Sequence, residues 1–223
     1  MRRNPAAALL GAILASALVA AGIASAHQTA AAAAQTCPPR GAHLIAHNRI
    51  LRVYTTGTLT QGRAVEACLS HRHGRMTLLA ARAPGAGLGG RSLAVDASSG
   101  PLVAYSLTSF GVDSGSVSLR VADVAARRVL RELSVGRYVD AGFGGYERVT
   151  KVVLGPEGAL GWIAAAKGPG PATAVSYYVR AAATIGQPRV LDEGEDIGAT
   201  ALSLTGRTLH WWHAGIEHSA LLP

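Results

Sequence analysis

The chain reads as an all-β protein built from antiparallel, four-stranded repeats, and three observations predict this. Apolar residues recur with a period of two: Val117, Leu119 and Val121 alternate with Ser118, Arg120 and Ala122, and Val175, Tyr177 and Val179 with Ser176, Tyr178 and Arg180. That is the pattern of extended strands with one buried face. Helical periodicity is nearly absent, and glycine and proline clusters at 83–90, 142–145 and 167–171 interrupt the apolar segments at intervals too short for helices between them. The third observation is internal repetition.

Arg91–Tyr105, Thr150–Trp162 and Thr200–Trp211 each read as a strand, a tight turn ending at a glycine (Gly100, Gly158, Gly206) and a second strand carrying an aromatic residue. Gly41–Tyr54 follows the same plan with Asn48 in the turn, asparagine being the other residue that accepts a left-handed conformation. A second hairpin follows the first three of these: Cys68–Leu79 around His71 to Gly74, Val121–Leu133 around Ala125 to Arg127, and Val179–Leu191 around Ile185 to Pro188. Two hairpins make one four-stranded antiparallel sheet, so units are expected at about 41–90, 91–145, 146–196 and 197–223, the last one strand short.

Ahead of these units, Arg2 and Arg3 precede an uncharged run from Ala6 to Ile23, and Ala24-Ser25-Ala26 supplies small residues for signal peptidase. Residues 1–26 are therefore expected to form a signal helix cleaved before His27, leaving a secreted or cell-surface protein. An uncleaved membrane anchor is the alternative, although alanine and glycine make the run only weakly hydrophobic. Nothing later in the chain is apolar enough to span a bilayer, and residues 27–40 read as a flexible leader. Both cysteines, Cys37 and Cys68, lie in the exported part, where an oxidising compartment favours their pairing. Closing a loop of about thirty residues adds roughly 3–4 kcal/mol in the chain-entropy account.

The 223 residues carry 21 Lys and Arg against 13 Asp and Glu, and 49% are hydrophobic. That apolar supply is enough for a core and excludes intrinsic disorder. Lysine occurs only at Lys151 and Lys167. Such an arginine preference beside abundant alanine and glycine matches the codon bias of a high-GC bacterial genome, which explains the basicity without a polyanionic partner. The arginines between Arg40 and Arg91 are scattered and lack interleaved stacking aromatics, so no nucleic-acid partner is expected.

Two hairpins in about fifty residues resemble the blade of a β-propeller. Across Gly41–Pro223 the chain is similar to secreted propeller-like proteins of unassigned function from high-GC bacteria. The resemblance implies about four blades, in a closed ring or in an open or incomplete one. It also implies recognition through interblade loops and the central channel rather than through a linear motif.

Several constellations bear on chemistry. Gly85, Gly87 and Gly90 match G-x-G-x-x-G by letter, but the residues that follow, Ser92 to Asp96, read as a strand, whereas a dinucleotide site needs a helix there. Asp113-Ser114-Gly115 resembles the nucleophile segment of trypsin-like secreted proteases, and His47, Asp96 and Ser114 have a triad's composition; only geometry qualifies a triad, and a polar turn is the simpler reading. His71 and His73 fall in a turn, while His210 and His213 point to opposite faces of a strand and cannot share an ion without a bulge; with His218 they are read as exposed histidines. Asp192, Glu193, Glu195 and Asp196 are read as a solvated turn, and a glycosidase pair among Glu66, Asp96, Asp123, Asp140 and these four has no sequence signature. Trp211 and Trp212 lie on opposite faces, one buried and one more exposed, where it could stack on a sugar near Trp162 or Tyr178.

No catalytic set, metal site or cofactor is assigned on these grounds. The sequence points to an exported, monomeric binding or scaffold module with a protein or carbohydrate ligand. A secreted hydrolase, either trypsin-like or a glycosidase, is the rival.

Overall fold

The computed structural model describes residues 36–57, 63–72, 74–80, 90–111, 114–139, 145–170 and 173–222. The expected signal segment and most of the leader expected after it, together with His73, Gly85 to Gly89, Asp113 and Asp140, lie outside them. Among the described residues there are fifteen strands and one short 3-10 turn, Pro156–Gly158, and no α-helix.

The strands form consecutive antiparallel meanders. The first sheet comprises β1 (His43–His47), β2 (Leu51–Thr56), β3 (Ala64–Leu69) and β4 (Arg75–Leu79). The second comprises β5 (Gly90–Ser99), β6 (Leu102–Phe110), β7 (Ser114–Asp123) and β8 (Arg128–Val139). The third comprises β9 (Tyr146–Leu154), β10 (Leu160–Lys167), β11 (Val175–Ala182) and β12 (Arg189–Gly194). The fourth has three strands, β13 (Ile197–Thr205), β14 (Thr208–His213) and β15 (Ile216–Leu221). The second and third sheets join edge to edge through a single pairing, Tyr138 with Tyr146, so the eight strands behave as two four-stranded sheets.

The turn between the first two strands of the second, third and fourth sheets holds Gly100 (φ +56), Gly158 (φ +88) and Gly206 (φ +61), the equivalent placement that the internal repeat anticipates. Asn48 occupies that position in the first sheet by a different device. It is absent from the positive-φ residues; instead its Oδ1 accepts the backbone N–H groups of Ile50 and Leu51 at 3.0 and 2.9 Å, closing an Asx turn. Its amide also donates to Ser98 Oγ and the Gly100 carbonyl, tying the first sheet to the second.

Three apolar clusters lie between successive sheets. Leu51, Val53, Val65 and Ala67 pack on Val103 and Tyr105; Leu119, Val121 and Val135 pack on Val152, Leu160 and Trp162; Ile163, Val179 and Ala181 pack on Leu202, Leu209 and Trp211. The two central sheets are therefore buried on both faces. The expectation of one buried face holds in the strands it was read from, with Val117, Leu119, Val121 and Val179 buried and Ser118, Arg120 and Arg180 not. It fails in the inner strands β6 and β10, most clearly in β10, whose residues from Leu160 to Ala165 are all buried. A strand sandwiched between two sheets needs apolar side chains at every position, and the small residues Gly161, Ala164 and Ala165 let the neighbours approach. Successive first strands touch one another, β1 with β5, β5 with β9 and β9 with β13. Among the described residues no core cluster joins the fourth sheet to the first, and no closed propeller forms.

The Cys37–Cys68 disulfide is present and fastens the segment before β1 to β3. Among the described residues no helix is long and apolar enough to cross a membrane.

Candidate functional site

Alternation along β14 sends Leu209, Trp211 and His213 to the face packed on the third sheet, and His210 and Trp212 to the opposite face. The β14–β15 connection is the two-residue turn Ala214-Gly215, with φ of +50 and +79, the both-positive pattern that suits a tight hairpin. That turn fixes the register, placing Ile216 opposite His213 and His218 opposite Trp211. His218 consequently stacks on the Trp211 indole, with centroids 5.8 Å apart and planes 20° from parallel, and lies 5.9 Å from the His213 ring.

The third sheet contributes Asp192. It pairs with Val179, a member of the third core, so its carboxylate faces the fourth sheet. Trp211 Nε1 donates to Asp192 Oδ2 at 2.7 Å, the Glu193 backbone N–H donates to Oδ1 at 2.8 Å, and His213 Nδ1 stands 3.0 Å from Oδ2. Gly194 makes room for this: a Cβ there would lie 2.5 Å from His213 Nε2, so any side chain would displace the imidazole. Burial alone would raise the Asp192 carboxyl, but the Trp211 indole, the Glu193 N–H and His213 together outweigh it and hold the group below its usual range. One ligand atom each from Asp192, His213 and His218 all fall within 4.8 Å of one another.

The sequence-derived candidates are distributed differently. His210 and His213 do face opposite sides; His210 pairs with Glu217 at 3.0 Å on the outer face, beside the half-exposed Trp212. Asp192 and Glu193 belong to β12 rather than to a turn, because the ladder with β11 runs through Gly194; only Glu195 and Asp196 lie beyond it. Alternation then parts the two strand carboxylates, Asp192 going to the cluster and Glu193 standing opposite Tyr178 on the other face, where its hydrogen bond and burial raise the Tyr178 hydroxyl. His71 is exposed in the β3–β4 turn.

The triad composition is not assembled. Asp96 lies level with Tyr105 and Ala104, and Ser114 lies beyond Phe110 at the other end of the same sheet, roughly 20 Å away along the strand direction at about 3.3 Å per residue. His47 is exposed on β1 in a different sheet, and the depression at Ser114 is lined by Ser109, Ser116, Ser134 and Arg137, with no histidine. Asp96 instead accepts from the Ser106 hydroxyl at 3.5 Å; its other oxygen is buried and unpartnered among the described residues, and burial pushes its carboxyl up to about 6. Two further candidates are occupied separately: Glu66 is buried beside Arg75, and Asp123 caps the β7–β8 turn by accepting from the Ala125 and Ala126 N–H groups. Gly90 opens β5, so a strand and not a helix follows the glycine-rich segment.

Sequence reading missed the Asp192–His213–His218 cluster because it weighed the histidines along one strand. Positive φ at Ala214 and Gly215 is what folds His218 back over Trp211, and a tight-turn reading of that dipeptide would have found the pair. No family model, curated protein or solved structure matches the chain.

Proposed function

We propose that the protein is an exported, non-enzymatic binding or scaffold module built as an open propeller-like arc. The observation that carries this reading is the serial contact of the first strands, β1 with β5, β5 with β9 and β9 with β13, while each sheet packs its face on the next. Blades arranged about a common axis place their first strands in this way, and the connecting turns then become a rigidly held recognition rim. The Cys37–Cys68 disulfide supports an oxidising destination, in keeping with the export leader. The ligand is a protein or a carbohydrate; the half-exposed Trp212 on the outer face of the fourth sheet is an aromatic platform suited to either.

The separation of His47, Asp96 and Ser114, and the engagement of Glu66 with Arg75, Asp123 with its own turn and Asp192 with Trp211 and His213, argue against the hydrolase. The test uses disulfide-intact protein recovered outside the producing cell. Its N-terminus is expected at His27, it should resist labelling by a serine-directed phosphonate, and it should leave casein and nitrophenyl glycosides uncleaved. Labelling that disappears in Ser114→Ala, or glycoside cleavage lost in a carboxylate variant, would overturn the reading.

A further inference from the structure

The face between the third and fourth sheets carries a donor set that neither the fold nor a binding role requires. Asp192, His213 and His218 come from three strands, β12, β14 and β15, and each is held in place by a neighbour that is not itself a ligand. The Trp211 indole fixes the carboxylate at 2.7 Å, the same indole stacks on His218, and the bare backbone of Gly194 accommodates the His213 ring. Hydrogen-bonded support of this kind is what orients metal ligands. We propose that Asp192, His213 and His218 bind one divalent transition-metal ion, with Zn2+ as the type case, and that the ion staples β12 of the third sheet to the β14–β15 hairpin of the fourth.

The dimensions suit the ion. With bonds of about 2.0–2.1 Å in a tetrahedral site, ligand atoms stand about 3.3 Å apart. His213 Nδ1 and Asp192 Oδ2 are already 3.0 Å apart, and all three donors lie within 4.8 Å, so closure needs roughly 1.5 Å of movement at most. His218, the exposed member, is the one free to make it. Two imidazoles and one carboxylate favour zinc, copper or nickel over magnesium and calcium, which take oxygen ligands. Because His218 is exposed, the fourth coordination position faces solvent and would be filled by water. The ligands converge only when the two sheets are docked, so binding selects the folded state and stabilises that junction.

The experiment is calorimetric titration of Zn2+ into the whole disulfide-bonded chain, without a histidine tag, together with thermal unfolding. One ion per chain is expected, and a metal concentration about a hundredfold above the dissociation constant should raise Tm by roughly 5–10 °C. Mg2+ should give no shift. His218→Ala removes an exposed ring and leaves the fold intact, so it should weaken Zn2+ binding at least about tenfold, in line with losing one of three ligands, while His210→Ala on the outer face should leave it unchanged. Tryptophan emission should change on Zn2+ addition in the parent, and in His218→Ala only at a correspondingly higher Zn2+ concentration. Absence of saturable Zn2+ binding, full affinity in His218→Ala, or an equal Tm shift with Mg2+ would overturn the proposal; the export and binding-module reading stands or falls separately, on the N-terminus and the hydrolase assays.

Discussion

The junction between the second and third sheets and the junction between the third and fourth each contain a tryptophan and an aspartate, and use them in opposite ways. At the first junction Trp162 is 0% exposed with its Nε1 unpartnered among the described residues, and Asp96 leaves one carboxylate oxygen likewise buried and unpartnered. Asp96 is drawn to that side by Ser106, whose ladder partner is Leu119 of the second core. At the other junction Trp211 gives its N–H to Asp192, and His213 and Thr150 add polar links, the Thr150 hydroxyl donating to the Ala199 carbonyl at 2.6 Å. The carboxylates record the difference: Asp96 is pushed up to about 6 by burial, while Asp192 lies below its ordinary range. Similar layers of alternating strands thus yield one interface held by packing despite its polar groups, and one in which polar groups are satisfied and converge.

The largest test of that contrast is Trp162→Ala. Trp162 belongs to the cluster that fills the space between the two central sheets, so truncation leaves a cavity with little means of collapse, and a loss of about 3–5 kcal/mol in unfolding free energy is expected by denaturant titration. A cost below about 1 kcal/mol would mean that the second core is not what holds those sheets together.

The next test separates the two aspartates by pH. For Asp96 the folded pKa, about 6, lies above the ordinary 3.8, so the folded state binds the proton more tightly than the unfolded one and stability falls as pH rises between those values. The penalty reaches at most about 3 kcal/mol above pH 6 and fades below pH 4. Asp96→Asn should therefore stabilise the protein at pH 8 and have little effect at pH 4, as read from denaturant midpoints. Asp192 has the opposite sign: its pairing contributes stability at neutral pH that is lost as pH falls through its depressed pKa, and Asp192→Asn should destabilise at pH 8. A destabilising Asp96→Asn at pH 8 would break the comparison.

Much of this architecture was legible in the sequence, because strand alternation and turn chemistry are local. The positions of Gly100, Gly158 and Gly206, the hairpins beyond them and the pairing of Cys37 with Cys68 all follow from short-range pattern or from a two-cysteine inventory. The device at Asn48 was not, since asparagine caps a turn through its side chain as readily as it adopts a left-handed backbone. Burial of both faces in the central sheets was also hidden: Tyr105 and Trp162 read as half of a two-faced pattern until another sheet covers the second side. The cluster needed information that no local pattern holds. Asp192 meets His213 and Trp211 only because the edge strand of one sheet lies over the hairpin of the next. Its neighbours in the acidic run, meanwhile, gave that carboxylate the look of a solvated turn.

The finest test compares Trp162→Phe with Trp211→Phe. Both substitutions remove the same part of an indole, so their packing losses are alike, and the difference between them reports the N–H group. At Trp162 the deleted donor has no partner among the described residues, so its removal relieves an unmet desolvation cost. At Trp211 the deletion leaves Asp192 Oδ2 without its 2.7 Å donor in a mostly buried site, and loosens the carboxylate that His213 leans on. Trp211→Phe should therefore be the more destabilising by about 1–2 kcal/mol, measured as the difference in unfolding free energy under identical conditions. Equal costs would mean that the Trp211 to Asp192 bond adds nothing beyond packing, and that the two junctions differ in geometry without differing in energy.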